Sequence, residues 1–476
     1  RLSGGISQVR QGAFFLVLRK RKGAGMGLKL TGKAVDIYDG IRAAPIVSPH
    51  GHCDPKWFAT DAAFSDPAEL LVIPDHYVFR MLYSQGVPLD QLGIGVAAED
   101  RDPRAIFKMF AAHWHLFLGT PSQLWIEHEL QVTLGCDLPL GPDTADAIYD
   151  HVAAWLAQDN IRPRALFDRF EIEVLATTDA ALDPLTHHAA IRDSDWEGRV
   201  IPTFRPDTLL NPQHEMWAQD VARLGEMTRH DTTRFDGFLT ALRDRRAAFR
   251  AMGATATDLA IEHPQTCWLD QPSDVFAALM AGDKSDADAF HGHMLVEMAQ
   301  MSLDDGLVMQ LHAGSRRNTN HALFERYGAD KGADIPIAVD WVRGLEPLLN
   351  RVGNDPRLTL ILFTLDETTY ARELAPMAGR WPCLRIGPPW WFHDSAAGIA
   401  RYLDQVVETA GYHNLAGFND DTRAFLSIPA RHDLWRRGVA QHLAAQIDRG
   451  YFSQETAAQI AAALATDLAR STYGLD

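Results

Sequence analysis

Cysteine is scarce in this sequence of 476 residues. There are four, Cys53, Cys136, Cys267 and Cys383, and they form no C-x-x-C pair. That argues against a disulfide framework or a thiolate zinc site and fits a reducing cytoplasm. Positive charge is also thin: Lys and Arg total 45 against 62 Asp and Glu, a net charge of −17. Nucleic acid and anionic membranes, which need concentrated positive charge, are therefore not expected as partners. A small anionic substrate remains compatible, because a few arginines in a cleft dominate the local field. No apolar run is long enough to span a bilayer. No G-x-G-x-x-G follows the first predicted strand, which counts against an open dinucleotide-binding sheet. The basic segment 1–25 places its Arg19-Lys20-Arg21-Lys22 after a short apolar run and precedes Met26. A signal peptide has the reverse order, so 1–25 is read as a non-native or disordered extension.

What is present is enough apolar material, 46% of the chain, for a large core. Eight short apolar runs are predicted as strands, at 45–49, 171–176, 199–204, 254–257, 307–311, 358–363, 383–386 and 414–417. They do not alternate strictly, as expected of parallel strands covered on both faces. Helical periodicity fills the gaps, for example Phe290, Met294, Leu295 and Met298 within 286–301. Eight βα units in series predict an α/β fold, a closed (β/α)8 TIM-type barrel. The first connection, of about 120 residues, is far longer than a βα loop should be. It carries helical faces at Ile106, Phe107, Phe110, Trp114 and Phe117 and at Ile148, Val152, Trp155 and Leu156. The expected organisation is a barrel from 26–53 and 165–476, with a helical subdomain, 54–164, inserted between strands one and two and roofing the catalytic end.

Barrel enzymes place their chemistry at the carboxyl ends of the strands, and ionisable residues recur there. Strand one leads into His50-x-His52, strand three into Arg205-Pro206-Asp207, and strand four into Asp258. Strand five ends in His312 followed by Arg317, strand seven in Trp390-Trp391, and strand eight in Asp421-Thr422-Arg423. Residues two apart at a strand end share a side, so both imidazoles can face one ion, with Asp421 closing from strand eight. The pattern also occurs at His113/His115 and His291/His293, but in helical segments, where such residues diverge. His312 reads as a third ligand, a substrate hydrogen-bonder or a structural histidine. Arg205, Arg317 and Arg423 would be costly to bury without anions, so a substrate carboxylate or an internal ion pair is expected. Cys53 could be a ligand or reactive thiol, but a small buried side chain is the plainer reading.

Taken in order, these motifs resemble the uronate isomerase family, the glucuronate/galacturonate isomerase branch of the amidohydrolase superfamily. The resemblance runs from about Leu28 to the C-terminus. It rests on His50-x-His52, Asp75-His76-Tyr77, Thr177-Thr178-Asp179, Phe204-Arg205-Pro206-Asp207, Gln310-Leu311-His312 with Arg317, Trp390-Trp391-Phe392 and Asp421-Thr422-Arg423. It implies conversion of D-glucuronate to D-fructuronate and of D-galacturonate to D-tagaturonate. It also implies one divalent metal at His50, His52 and Asp421, and a substrate surrounded by His76, Tyr77, Arg205, Asp258, His312, Arg317, Trp390 and Arg423. In one departure, Thr257-Asp258-Leu259-Ala260 stands where the family usually reads Ser-Asp-His-Gly.

An aldose–ketose isomerase must remove the C2 proton and return one to C1 through an enediol. The expected base is Asp421, with Arg423 and the metal stabilising charge. Tyr77 and His76 would move hydroxyl protons, and Arg205 or Arg317 would hold the C6 carboxylate. Zn²⁺ is the expected ion, with Mn²⁺, Fe²⁺ and Co²⁺ also suited to two His and a carboxylate. A homo-oligomer in the cytoplasm is expected. The rival readings are a metal-dependent hydrolase of the same superfamily and a non-catalytic sugar-acid-binding barrel. The run 254–260 contains no Lys for a binuclear site, and 358–366 no His of the deaminase type.

Overall fold

The computed structural model describes residues 28–475; the 1–25 extension read from the sequence lies outside them. Strand one is Ile46–Ser48, buried throughout, and pairs in parallel with strand two, Ile172–Ala176. Strand two continues beyond two threonines as Asp179–Ala180. Strand three comes in two pieces, Val200–Ile201 and Phe204–Arg205. The break falls at Pro202, which has no N–H to give the ladder. The second piece pairs with strand four, Ala256–Ile261, and the parallel order continues through Val308–Ala313, Leu360–Thr364 and Leu384–Ile386. A bridge from Ile386 to Leu415 begins the eighth position. The circuit then closes on strand one, where Asp421 N donates to His50 O at 3.3 Å and His52 N donates to Thr422 O at 3.0 Å. The fold is thus an eight-stranded parallel α/β barrel.

Strand four differs from the sequence expectation. It starts later and runs four residues further, so Asp258 lies inside the strand rather than beyond its end. Composition is a weak guide there because six consecutive residues pair with strand five, and pairing overrides intrinsic preference. Leu259 is consequently turned to the face opposite Asp258 and buried in the apolar core.

Apolar packing falls into two clusters. One joins the barrel strands to their helices, including Ala287–Asp305, which is buried on most sides rather than along one stripe because neighbouring helices cover it as well as the sheet. The other gathers the helices between strands one and two, with Phe58, Phe79, Phe107, Phe110, Phe117, Ile148 and Val152 at its centre. Tyr77 and Trp125 come from this helical stretch yet belong to the barrel's cluster, and so bond the two layers together. Beyond strand five, Gly314 adopts φ +88° where an added Cβ would lie 2.7 Å from Val339, so the chain can turn sharply there only as glycine. A short antiparallel pair, Ser315–Arg316 with Ile335–Pro336, was not expected from sequence; it clamps the base of the loop that follows.

Candidate active site

His50 and His52 leave strand one where strand eight meets it. His50 is almost fully buried and His52 partly so. Asp421 Oδ1 lies 3.4 Å from His50 Nε2 and 2.9 Å from His52 Nε2. Asp421 holds φ at +42°, a left-handed conformation uncommon for a residue with a side chain, which fits a position fixed by its surroundings. Burial would raise its pKa, but the two imidazoles outweigh that and hold the carboxyl well below its ordinary value. The His50 ring stacks on His312 at 4.6 Å, and His312 on Phe363 at 4.0 Å. Gln310 stands 3.5 Å behind His50 Nδ1, and its carbonyl oxygen accepts from Tyr473 at 2.9 Å.

Among the described residues, two groups could hold a metal ion: His50, His52 and Asp421, and His50, Asp258 and His312. The first fits a divalent cation well, because two imidazole nitrogens and a carboxylate oxygen converge on one point and face the cavity at His52 and Asp421. The other His-x-His pairs do not join such groups. His113 Nδ1 is bonded to its own helix at Met109 O, and His293 accepts from Leu269 N.

The second group is engaged internally. His312 Nδ1 lies 2.6 Å from Asp258 Oδ1, and Arg205 approaches the other Asp258 oxygen at 3.5 Å. Burial would raise the Asp258 pKa, but His312 and Arg205 hold it far below the usual range. Arg205 also donates to Asp207 at 2.7 Å. Its anions are therefore protein carboxylates, one of the two readings open from sequence. Asp258 and His312 stand behind the cavity wall, whereas Arg205 lies in it. Among the described residues, buried His312 Nε2 has no hydrogen-bond partner, an arrangement that a ligand would relieve.

The cavity itself is lined by His52, Asp421 and Arg423 from the barrel's seam, by Arg205, and by Trp390 and Trp391 after strand seven. Its roof comes from Asp75, His76 and Tyr77. The helix His76–Tyr83 begins there because Asp75 accepts from Tyr77 N at 2.8 Å, an N-cap that fixes where the two side chains emerge. Burial first, then the charge of Arg423, pushes the His76 pKa down to about 3, so its ring is neutral. Its Nε2 also lacks a hydrogen-bond partner among the described residues. Tyr77 lies edge-on to Trp125 and 5.5 Å from the Arg431 guanidinium, and burial raises its hydroxyl pKa well above the ordinary value.

Several participants have no sequence signal of their own. Arg431, in the long helix Ser427–Asp448, lies 3.6 Å over Trp125 and pairs with Asp394 at 2.9 Å. Glu129 is buried nearby, and desolvation, with Asp75 adding, lifts its pKa to about 8. Asp330 and Asp334, in the loop after strand five, reach Arg423 and Arg317, each at 3.0 Å. Their position after a barrel strand is the one clue the sequence offered.

The family model described as glucuronate isomerase matches residues 28–471. A uronate isomerase from Rhizorhabdus wittichii is 55% identical over 92% of this chain and 94% of its own length. Among solved structures, glucuronate isomerase from Caulobacter crescentus superposes with a TM-score of 0.91 at 48% identity, covering 93% of this chain and 94% of that one. Uronate isomerase from Thermotoga maritima superposes at 0.87 with 26% identity, covering 94% and 100%.

Proposed function

This chain belongs to the glucuronate isomerase family, and we propose that it interconverts D-glucuronate with D-fructuronate and D-galacturonate with D-tagaturonate. The observation that carries the reading is the meeting of His50, His52 and Asp421 at one wall of a cavity whose other walls present Arg205, Arg317 and Arg423. A metal-holding set beside several guanidiniums suits a sugar that carries a carboxylate.

A divalent cation held by His50, His52 and Asp421 would supply positive charge where the enediolate oxygen develops; zinc is our first choice, with manganese, iron and cobalt as alternatives. Asp421 takes the proton from C2 of the open-chain sugar and returns a proton to C1. It is ionised throughout the working range, since its carboxyl is held so low. Such a carboxylate is a weak base, so the step depends on positive charge at the C1 and C2 oxygens to acidify the C2 proton. Arg423 stands beside it in the cavity wall for that purpose. His76, neutral and with a free ring nitrogen, and Tyr77 relay the hydroxyl protons between O1 and O2. Arg317 is better placed than Arg205 for the C6 carboxylate: Arg205 is closed between Asp207 and Asp258, whereas Arg317, paired with Asp334, keeps more of its side chain exposed. Trp390, edge-on to His312 at 4.8 Å, forms an apolar wall for the sugar. His312 and Asp258 act from behind this wall, orienting Arg205 and the His50 ring.

The test is purified protein with each hexuronate, scored for ketose before chelation, after it, and after metal add-back. Ketose that disappears and returns is expected; no ketose under any metal condition overturns the reading. In D₂O, solvent deuterium should appear at C1, as proton transfer requires. We place the enzyme in the cytoplasm as a homo-oligomer, to be checked by fractionation and light scattering; no helix of the described residues is long and apolar enough to cross a membrane.

A further inference from the structure

The loop carrying Asp330 places a carboxylate in the cavity between two arginines. Asp330 Oδ2 lies 3.0 Å from Arg423 and its Oδ1 3.9 Å from Arg317, and all three line the cavity. The loop is built to reach in. Gly328, Asp330 and Gly332 all have φ between +61° and +78°, and Gly332 lies so close to the roof helix that a Cβ there would sit 2.6 Å from Arg80 Cβ. Asp334, four residues on, differs in kind. It is buried, accepts from Asn318 N at 2.7 Å, and anchors Arg317 as part of the framework. Asp330 is 44% exposed at its side chain, and the ion pairs it makes are to the two guanidiniums.

We propose that Asp330 is a resident carboxylate that stands beside Arg317 in place of the hexuronate C6 carboxylate and yields to it, which frees Arg423 to face the C1 and C2 oxygens. This rests on the hexuronate reading above. Exchanging one carboxylate for another keeps the charge beside the two guanidiniums the same before and after, so an anionic sugar enters at little electrostatic cost. An uncharged aldose offers no replacement charge. It cannot replace Asp330 at Arg423, and so binds with that carboxylate still in place. Asp330 is thereby a resident competitor that lowers the affinity of every ligand that must displace it.

The test is Asp330→Asn, a substitution whose backbone preference matches the left-handed conformation. The KM for D-glucuronate should fall about two- to fivefold, the scale of one partly exposed ion pair, with kcat within about twofold of the parent. The dissociation constant of D-glucarate, which has carboxylates but no aldehyde to isomerise, should fall by the same factor, read from tryptophan fluorescence. D-Glucose, which binds with Asp330 in place, should gain no affinity. An unchanged or raised KM, or a lost kcat at constant KM, overturns the proposal and makes Asp330 a positioning residue for Arg423. Failure of D-glucarate to bind either protein also overturns it. Absence of ketose from the parent protein would instead count against the isomerase reading, while the D-glucarate comparison still reports on Asp330.

Discussion

In the proposed mechanism Asp421 would combine two duties in one side chain, proton acceptor and metal ligand, and Asp421→Asn separates them. The variant should lose about 10²–10⁴-fold in kcat and bind metal more weakly, and saturating metal should restore occupancy without restoring turnover. Steady-state rates beside metal analysis check both halves; recovery of turnover with occupancy would remove Asp421 from the proton path. Glu129 makes a prediction about stability. Its pKa is raised to about 8 in the folded protein by burial, against about 4.3 for a free Glu. The folded state therefore favours the protonated form, and this contribution fades as pH rises between those values. Glu129→Gln should raise the apparent Tm by a few degrees at pH 8 and by almost nothing at pH 4. At this scale the sequence was most legible for residues whose chemistry follows from position. The His50-x-His52 pair and Asp421 could be placed because strand ends are predictable. Arg431 and Asp330 could not, since their partners lie far along the chain and no periodicity links them.

At the scale of elements, the cap on the helix His76–Tyr83 is the joint through which the inserted helices act on the site. Asp75→Ala removes the bond to Tyr77 N, a loss of about 1 kcal/mol in helix stability. Turnover should fall further than melting temperature, because His76 and Tyr77 lose their fixed origin. Asp75→Asn, which can still cap, should retain more activity; equal losses in both variants would mean the charge, not the cap, matters. The helical faces here could be read from apolar spacing, as Phe107, Phe110, Ile148 and Val152 are all buried. The extent of strand four could not, because its length is set by the partner strand rather than by its own Ala-rich composition. Likewise the break in strand three follows from Pro202, a signal present in the sequence but absorbed into one continuous run.

For the whole molecule, a bound cation is also a stability effect. An ion that binds the folded chain alone stabilises it by about 2.7 kcal/mol at one hundred times its Kd. Chelation should therefore lower the apparent Tm, and add-back should restore it in step with activity. His50 and His52 follow the first strand and Asp421 follows the eighth position, so the three candidate ligands straddle the seam where the ring closes. An ion there would be a rivet across a loop of some 370 residues, made of the same atoms that do the chemistry. Cross-links that close long loops restrict the unfolded chain most. Chelated protein should thus exchange amide hydrogens faster at 46–52 and 415–423 than elsewhere in the barrel. The barrel would open along its own catalytic edge, and metal supply would set how tightly that edge is shut.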